Sequence, residues 1–203
     1  MPFDAAVFDF DGTLVDSATV KRDAFFAIFP DTEQHRAIVA RVLTNDPDGS
    51  RHRVIPRMIE LMLAGPLATG PSPDALIERY GELSEAAVRR AAELPGASVI
   101  LAALAPSMQL HVCSNTPRET VRAHVAARGW SGHFCTVEGH PTVKVAKVAS
   151  VLRNGGFAAT RVAVIGDGVS DEEAARANGC RFIAIRQPAD LAEAGRILGV
   201  SDV

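Results

Sequence analysis

Short apolar runs that end abruptly in polar clusters recur along this chain. Ala5-Ala6-Val7-Phe8 gives way to Asp9-Phe10-Asp11-Gly12, Leu110-His111-Val112-Cys113 to Ser114-Asn115-Thr116, and Arg161-Val162-Ala163-Val164-Ile165 to Gly166-Asp167-Gly168. A half-exposed antiparallel strand would alternate polar with apolar, whereas runs this continuous predict parallel strands buried on both faces. Helical patterns follow them, over 117–128, 143–153 and 171–178. Alternating strands and helices predict an α/β fold with a doubly wound parallel sheet. Ligands of such sheets bind beyond the carboxyl ends of the strands, which is where each run delivers its polar residues.

Between the first and second runs lie about one hundred residues with no convincing strand. That is too long for a simple crossover. Apolar residues at three- and four-residue spacing over 20–29, 33–43, 54–64 and 74–93, broken by Pro30, Pro47, Gly65 and Pro71, predict an insertion of about four helices. Residues 65–73 form a turn or linker inside it, and Leu94-Pro95-Gly96 returns the chain to the sheet. The expected organisation is a core domain of residues 1–16 and 95–203 with a helical domain of residues 17–94. No internal repeat or low-complexity tract interrupts it.

Composition narrows the function. A length of 203 residues with 47% hydrophobic content supports a buried core and excludes a large multidomain machine. With 21 Lys plus Arg against 24 Asp plus Glu, the net charge of −3 gives no electrostatic footprint for nucleic acid or an anionic membrane. No apolar stretch approaches the ~20 residues needed to span a bilayer, and no leader pattern opens the chain, so the expected location is cytoplasmic. Cys113, Cys135 and Cys180 are odd in number and sit in or beside β-like runs, which predicts reduced core thiols instead of a disulfide or metal framework.

The polar clusters carry the candidate chemistry. Asp9 and Asp11 stand two residues apart just past a strand, so that one carboxylate can attack phosphorus while the other handles protons, with Gly12 allowing the turn that aims them. An Asx turn capping the next helix would satisfy the same residues. Ser114-Asn115-Thr116 supplies a hydroxyl and backbone N–H groups suited to a phosphate oxygen, or an ordinary helix cap. Gly166-Asp167-Gly168-Val169-Ser170-Asp171 adds two carboxylates suited to magnesium, or a glycine turn with a capping Asp. Lys144 and Lys147 open the helix before that strand, where either can supply a fixed positive charge.

Taken in order, these clusters resemble the motifs of the haloacid dehalogenase-like (HAD) hydrolase superfamily, and the resemblance spans essentially the whole chain. Asp-x-Asp-Gly-Thr is Asp9 to Thr13, the strand ending in Ser or Thr reaches Ser114, the motif lysine follows, and Gly-Asp-x-x-x-Asp is Gly166 to Asp171. The long insertion lies where the family carries a helical cap. The resemblance implies a Rossmann-like core in which Asp9 is the nucleophile that forms an aspartyl-phosphate and Asp11 the general acid and base. It implies Mg2+ held by the Asp9 carboxylate, the main-chain carbonyl of Asp11 and Asp167, with Asp171 as ligand or close support. Gly12, Thr13, Ser114 and Asn115 would bind the phosphoryl group. The stretch 139–147 lacks the common Lys-Pro pair but resembles the variant in which Pro-Thr-x-Lys opens the helix, which selects Lys144 over Lys147.

The dehalogenases of this superfamily lack an acid two residues after the nucleophile, since a halide leaves without a proton, so Asp11 favours phosphoryl chemistry. The expected activity is a magnesium-dependent phosphatase acting on a small phosphorylated metabolite, such as a sugar phosphate or a phosphoglycolate-like compound, with no nucleic acid or membrane partner. A phosphomutase of the same fold and a catalytically silent binding protein are the alternatives. In the insertion, Asp48-Gly49-Ser50-Arg51 resembles a Gly-x-Ser-Arg turn of sugar-phosphate mutases and related capped phosphatases. Arg51 would then grip the substrate, although His52, Arg53 and Arg57 alongside also fit a solvated basic turn. Val54, Ile55, Met58, Ile59 and Met62 are expected in the core of the insertion.

Overall fold

The computed structural model describes residues 3–47, 49–65, 67 and 70–201. Its contacts divide the chain into two units, one that runs to Asp16 and resumes at Ala92, and one formed by Ser17–Ala91.

The first unit is built on a five-stranded parallel sheet in the order β3-β2-β1-β4-β5. The strands are β1 (Ala5–Phe8), β2 (Gln109–Pro117), β3 (Thr136–His140), β4 (Val162–Gly166) and β5 (Arg181–Ala184). This is the doubly wound α/β arrangement that the apolar runs predict. Ala5, Val7, Cys113, Val162 and Val164 pack into one buried cluster with Val148 and Val151 of a helix over Lys144–Gly155 and Ala174 and Ala175 of another over Val169–Asn178. The alternate residues Ala6, Phe8, Leu110, Val112, Ala163 and Ile165 point the other way and are equally buried. Helices over Ala97–Leu104, Arg118–Ala127 and Ala189–Leu198 add Ile100, Leu104, Val121, Val125 and Leu191 to the buried set.

Strands β3 and β5 and the helices over Ala97–Leu104 and Ala189–Leu198 lie outside the elements that periodicity predicts. β3 reads Thr-Val-Glu-Gly-His and β5 Arg-Phe-Ile-Ala, both edge strands whose polar residues break the apolar run. Cys135, just ahead of β3, is exposed, which corrects its expected place in the core; Cys113 is buried and Cys180 half-buried, and all three are free thiols.

Register explains why the polar clusters assemble. Phe8 pairs with Val112 on one side and Ile165 on the other, so the residues that follow all leave the sheet at one edge. The chain leaves through Asp16, whose N–H donates to Ala92 O (2.9 Å), while Leu94 N–H donates to Leu14 O (2.9 Å).

The second unit consists of α1 (Ala18–Ala27), α2 (Glu33–Asn45), α3 (Arg51–Leu63) and α4 (Pro73–Arg90). In the sheet unit the helices are numbered on as α5 (Ala97–Leu104), α6 (Arg118–Ala127), α7 (Lys144–Gly155), α8 (Val169–Asn178) and α9 (Ala189–Leu198). Thr32 and Ser72 accept hydrogen bonds from His35 N–H and Ala75 N–H and so start α2 and α4. Val54, Ile55, Met58, Ile59 and Met62 line the buried face of α3, where they join Phe25, Val39, Leu76 and Tyr80 in a core of the helical unit's own. Pro56 inside α3 removes a helical donor at a cost of about 3 kcal/mol. Burying five such side chains at roughly 1.5 kcal/mol or more each outweighs it. The expected linker of residues 65–73 includes Pro66, Ala68 and Thr69, which lie outside the described residues. No helix among the described residues is long and apolar enough to cross a membrane.

One histidine inside the sheet makes the fold sensitive to acid. His111 of β2 is 4% exposed, its Nδ1 lies 2.8 Å from Thr136 Oγ1, and its Nε2 has no hydrogen-bond partner among the described residues. Burial pushes its pKa down to about 4. The unfolded chain, whose His titrates near 6.5, therefore binds the extra proton first, and this part of the stability is full above pH 6.5 and lost as the pH falls toward 4. Urea denaturation at pH 7 and pH 5 should show wild type losing about 2 kcal/mol more than His111→Leu across that interval. Equal losses in the two proteins would refute this account.

Candidate active site

Asp9 is the first residue past β1, and its N–H donates to Ile165 O (2.8 Å), which continues the sheet pattern by one residue. The chain then folds sharply: Leu14 and Val15 N–H both donate to Phe10 O, and Gly12 N–H to Val15 O. Gly12 has a φ of +81°, and a Cβ there would stand 2.2 Å from Asp167 Oδ2. Glycine is thus required twice, for the left-handed backbone and for the close approach to Asp167. Thr13 is fully buried and its hydroxyl donates to Asp167 Oδ1 (3.2 Å).

β4 ends at Gly166, where a Cβ would lie 2.2 Å from Asp171 Cγ, so the missing side chain lets Asp171 fold back over the strand end. Asp171 Oδ2 accepts from Gly168 N–H (3.3 Å), the capping interaction, while Oδ1 accepts from Lys144 Nζ (2.8 Å). Lys144 is the first residue of α7, 5% exposed, with its Nζ also 3.0 Å from Asp9 Oδ1. That contact is an ion pair outside hydrogen-bond geometry, so Asp9 Oδ1 is buried with no hydrogen-bond donor. Burial opposes the charge of Lys144, but the carboxylates of Asp9 and Asp171 outweigh it and hold its pKa above the ordinary value. Burial, reinforced by the charge of Asp9, raises the pKa of Asp171 and of Asp167.

β2 contributes the remaining residues. Ser114 is buried and its Oγ accepts from Thr116 N–H (3.0 Å). Neither caps α6: β2 runs on to Pro117, with a register shift against β3 after Cys113, and Pro117 is the residue that precedes the helix. Gly139 of β3 permits this path, since a Cβ there would meet Thr116 O at 2.4 Å and the Arg118 backbone at 2.5 Å. Asn115 is exposed, and its Nδ2 donates to Ser170 Oγ (3.3 Å), tying β2 to the first turn of α8. Thr116 Oγ1 donates to Asp11 Oδ2 (2.7 Å), which turns the second carboxylate toward β2 while the first faces α7. Lys147, one turn into α7, points its Nζ at the main-chain carbonyl of Ser114 and not at a carboxylate.

Arg51 belongs to the other unit. It opens α3, and its guanidinium lies 4.9 Å from the centroid of the Tyr80 ring, a cation–π contact within the helical unit. Arg53 pairs with Asp46, and Arg57 with Glu60. Gly49 and Ser50 precede α3, and Asp48 lies outside the described residues. Thr116 and Gly166, which the motifs include without an individual role, also build the site. Period-two alternation from Ser114 along an extended strand would have pointed to Thr116.

One oxygen each from Asp9, Asp167 and Asp171 falls within 4.8 Å of the others. These are hard, anionic donors, one buried oxygen lacks any hydrogen bond, and burial together with mutual repulsion raises two of the carboxyl pKa values. The set fits a small divalent cation such as Mg2+.

A model of haloacid dehalogenase-like hydrolases matches residues 3–179. The chain belongs to this family. No curated protein matches it at the sequence level. Solved structures do match by fold. A predicted phosphoglycolate phosphatase of Haemophilus somnus is 21% identical, with a TM-score of 0.71 over 91% of this chain and 85% of that one. YfnB of Bacillus subtilis, solved bound to magnesium, is 17% identical, with a TM-score of 0.71 over 98% of this chain and 100% of that one. CbbY of Rhodobacter sphaeroides, solved in complex with phosphate, is 20% identical, with a TM-score of 0.67 over 90% and 85% of the two chains. All three share the HAD fold of this chain.

Lys144 holds this HAD site together electrostatically, which makes its removal informative without any substrate. In metal-free protein at pH 8, Lys144→Met should lower the unfolding free energy by about 3 kcal/mol or more, because two buried carboxylates lose their cation. At pH 5.5 the loss should shrink, because a carboxyl with a raised pKa then takes up a proton in its place. Chemical denaturation at both pH values measures this, and a loss independent of pH would contradict it.

Proposed function

We propose that this HAD-family hydrolase is a magnesium-dependent phosphatase that cleaves a small phosphomonoester through an aspartyl-phosphate on Asp9. The observation that carries the reading is the pairing of two unlike carboxylates at one strand end. Asp9 is buried with Oδ1 facing the Lys144 ammonium at 3.0 Å but held by no hydrogen bond, and Asp11 is held by the Thr116 hydroxyl. A carboxylate oriented by an ion pair, with no hydrogen bond drawing on its lone pairs, suits a nucleophile, and a carboxyl oriented by one hydrogen bond suits a proton carrier.

In the first step Asp9 Oδ attacks phosphorus, the bond from phosphorus to the ester oxygen breaks, and Asp11 gives that oxygen its proton as the alcohol leaves. In the second, Asp11 takes a proton from water, the water oxygen bonds to phosphorus, and the acyl-phosphate bond breaks to release inorganic phosphate and restore Asp9. Lys144 offsets the charge of Asp9 so that an anionic ester can approach it. The Ser114 hydroxyl and nearby backbone N–H groups bind phosphoryl oxygens, with Gly12, Thr13 and Asn115 shaping the walls of that pocket. Asp9, Asp167 and Asp171, with the Asp11 carbonyl, would hold Mg2+. The ion supplies charge neutralisation between the carboxylates and the phosphoryl group.

Sugar phosphates and phosphoglycolate-like compounds are the proposed substrate class, which the fold likeness to the Haemophilus somnus protein supports. We assign the choice among them to Ser17–Ala91 acting as a cap, with Arg51 as its anion-binding residue. Support for Arg51 comes from its stacking on Tyr80, which restrains the side chain without using its hydrogen-bond donors.

Wild type should release phosphate from para-nitrophenyl phosphate in the presence of magnesium chloride and lose that activity with EDTA. Asp9→Asn should cut kcat by at least about a thousandfold with its melting temperature preserved. A folded Asp9→Asn protein with near-normal turnover would remove the nucleophile assignment. Glucose phosphates recovered as isomers, with no free phosphate, would replace the phosphatase reading with a mutase. Arg51→Ala should raise KM for the best sugar or carboxylate phosphate by about tenfold and leave the aryl phosphate unchanged. Equal effects on both would end the Arg51 assignment.

A further inference from the structure

Among the described residues of the sheet unit, Lys147 is the one buried lysine or arginine that the chemistry above leaves unused. It is 2% exposed, makes no ion pair among the described residues, and spends its ammonium on the main-chain carbonyl of Ser114. An uncompensated buried ammonium costs several kcal/mol, and a methionine of similar length would fill the same space without that cost. Simple packing therefore does not account for a lysine here.

The partners of Lys147 indicate what does. The Ser114 carbonyl accepts from Lys147, Ser114 Oγ accepts from Thr116 N–H, and Thr116 Oγ1 donates to Asp11 Oδ2. A single hydrogen-bonded chain thus runs from α7 through the end of β2 to the second carboxylate. Ser114 Oγ accepts from Thr116, and its own O–H makes no hydrogen bond among the described residues, which leaves that proton for a ligand. The pairing of Pro117 with His140 and the bond from Asn115 to Ser170 hold the strand beyond Ser114, and Lys147 is what fixes the Ser114 carbonyl itself at the break in register.

We infer that Lys147 is a positioning residue: it fixes the end of β2 so that Ser114 and Asp11 face the substrate, and its ammonium supplies a second positive charge for a phosphate dianion. This rests on the phosphoryl-transfer reading of the site. The groups that act on its charge are Lys144 on its own helix, Cys113 on β2, Asp9 after β1 and Glu138 on β3. Burial brings Lys147 down to about 8, with Lys144 adding to the effect, and Cys113 is pushed up to about 12, so the thiol stays neutral while the lysine titrates. A positioning cation of this kind leaves a signature that inert packing lacks, namely phosphate affinity that declines as the lysine loses its proton.

The test is calorimetric binding of inorganic phosphate with magnesium chloride present, from pH 7 to 9.5, on wild type, Lys147→Arg and Lys147→Met, with melting temperatures recorded alongside. Wild-type affinity should fall about tenfold across a midpoint near 8. Lys147→Arg, charged throughout, should match wild type at pH 7 and stay level to pH 9.5. Lys147→Met should bind about tenfold more weakly at pH 7, again without the pH dependence. Should Lys147→Met fail to fold, the Arg variant alone decides. A midpoint near 8 that persists in Lys147→Arg, or a folded Lys147→Met indistinguishable from wild type, would overturn the inference. Turnover of para-nitrophenyl phosphate by wild type reports separately on the phosphatase reading. Lys147-dependent phosphate binding without turnover would sink that reading and uphold this one, and a wild type that binds no phosphate would overturn both.

Discussion

Negative charge packed at one edge of a parallel sheet is the constraint on which the rest of this molecule depends. Asp9 and Asp171 are both almost fully buried, Asp167 sits beside them, and like charges so close in a poorly solvated place repel strongly. Lys144 is the protein's own answer, reaching one carboxylate at 2.8 Å and another at 3.0 Å from the first turn of α7. A single lysine cannot neutralise three carboxylates. Burial, with the charge of Asp9 adding to it, raises the carboxyl pKa values of Asp167 and Asp171, and a crowded set of hard anionic oxygens of this kind suits a divalent cation. Stability and chemistry are opposed here, as is common where groups are held ready for reaction.

Backbone geometry makes that crowding feasible. Gly12 and Gly166 stand against the carboxylates of Asp167 and Asp171, and in both cases a single methyl group would collide with the acid. The charges are brought together by removing side chains from the loops that carry them. Gly139 does the same for backbone against backbone, which lets β2 continue past its break in register and present Ser114 and Thr116 beyond the sheet. Each of these places is one where the chain gives up packing to gain proximity.

Most of this was legible in the order of residues, and the failures have physical causes. Central strands betray themselves because burial on both faces demands an unbroken apolar run, as Ala5 to Phe8 illustrates. Edge strands face that demand weakly, so β3, with Glu138 paired to Arg118 and Arg122, carries too little apolar signal to be seen. The clusters at the strand ends were readable because several polar residues that fit one chemistry fell in one order. What periodicity and motif could not supply was direction. Asp9 and Asp11, two residues apart, turn to different partners, and Lys144 and Lys147, three apart, serve a carboxylate pair and a carbonyl respectively. Such differences arise from tertiary packing around each side chain and leave no trace in spacing alone. The individual role of Thr116 is hidden for the same reason, since its value lies in the hydroxyl's partner across the site.

The helical unit is a single uninterrupted stretch with a hydrophobic core of its own, entered after Asp16 and left before Ala92, where the two ends are stitched by backbone hydrogen bonds. A segment arranged in this way behaves as a cassette. Its surface residues can be exchanged, and its helices lengthened or shortened, without touching the register of any strand that carries a carboxylate. If recognition resides in the helical unit, as proposed, selection can act on it separately from the chemistry, and one sheet edge can serve different substrates through a rewritten cassette.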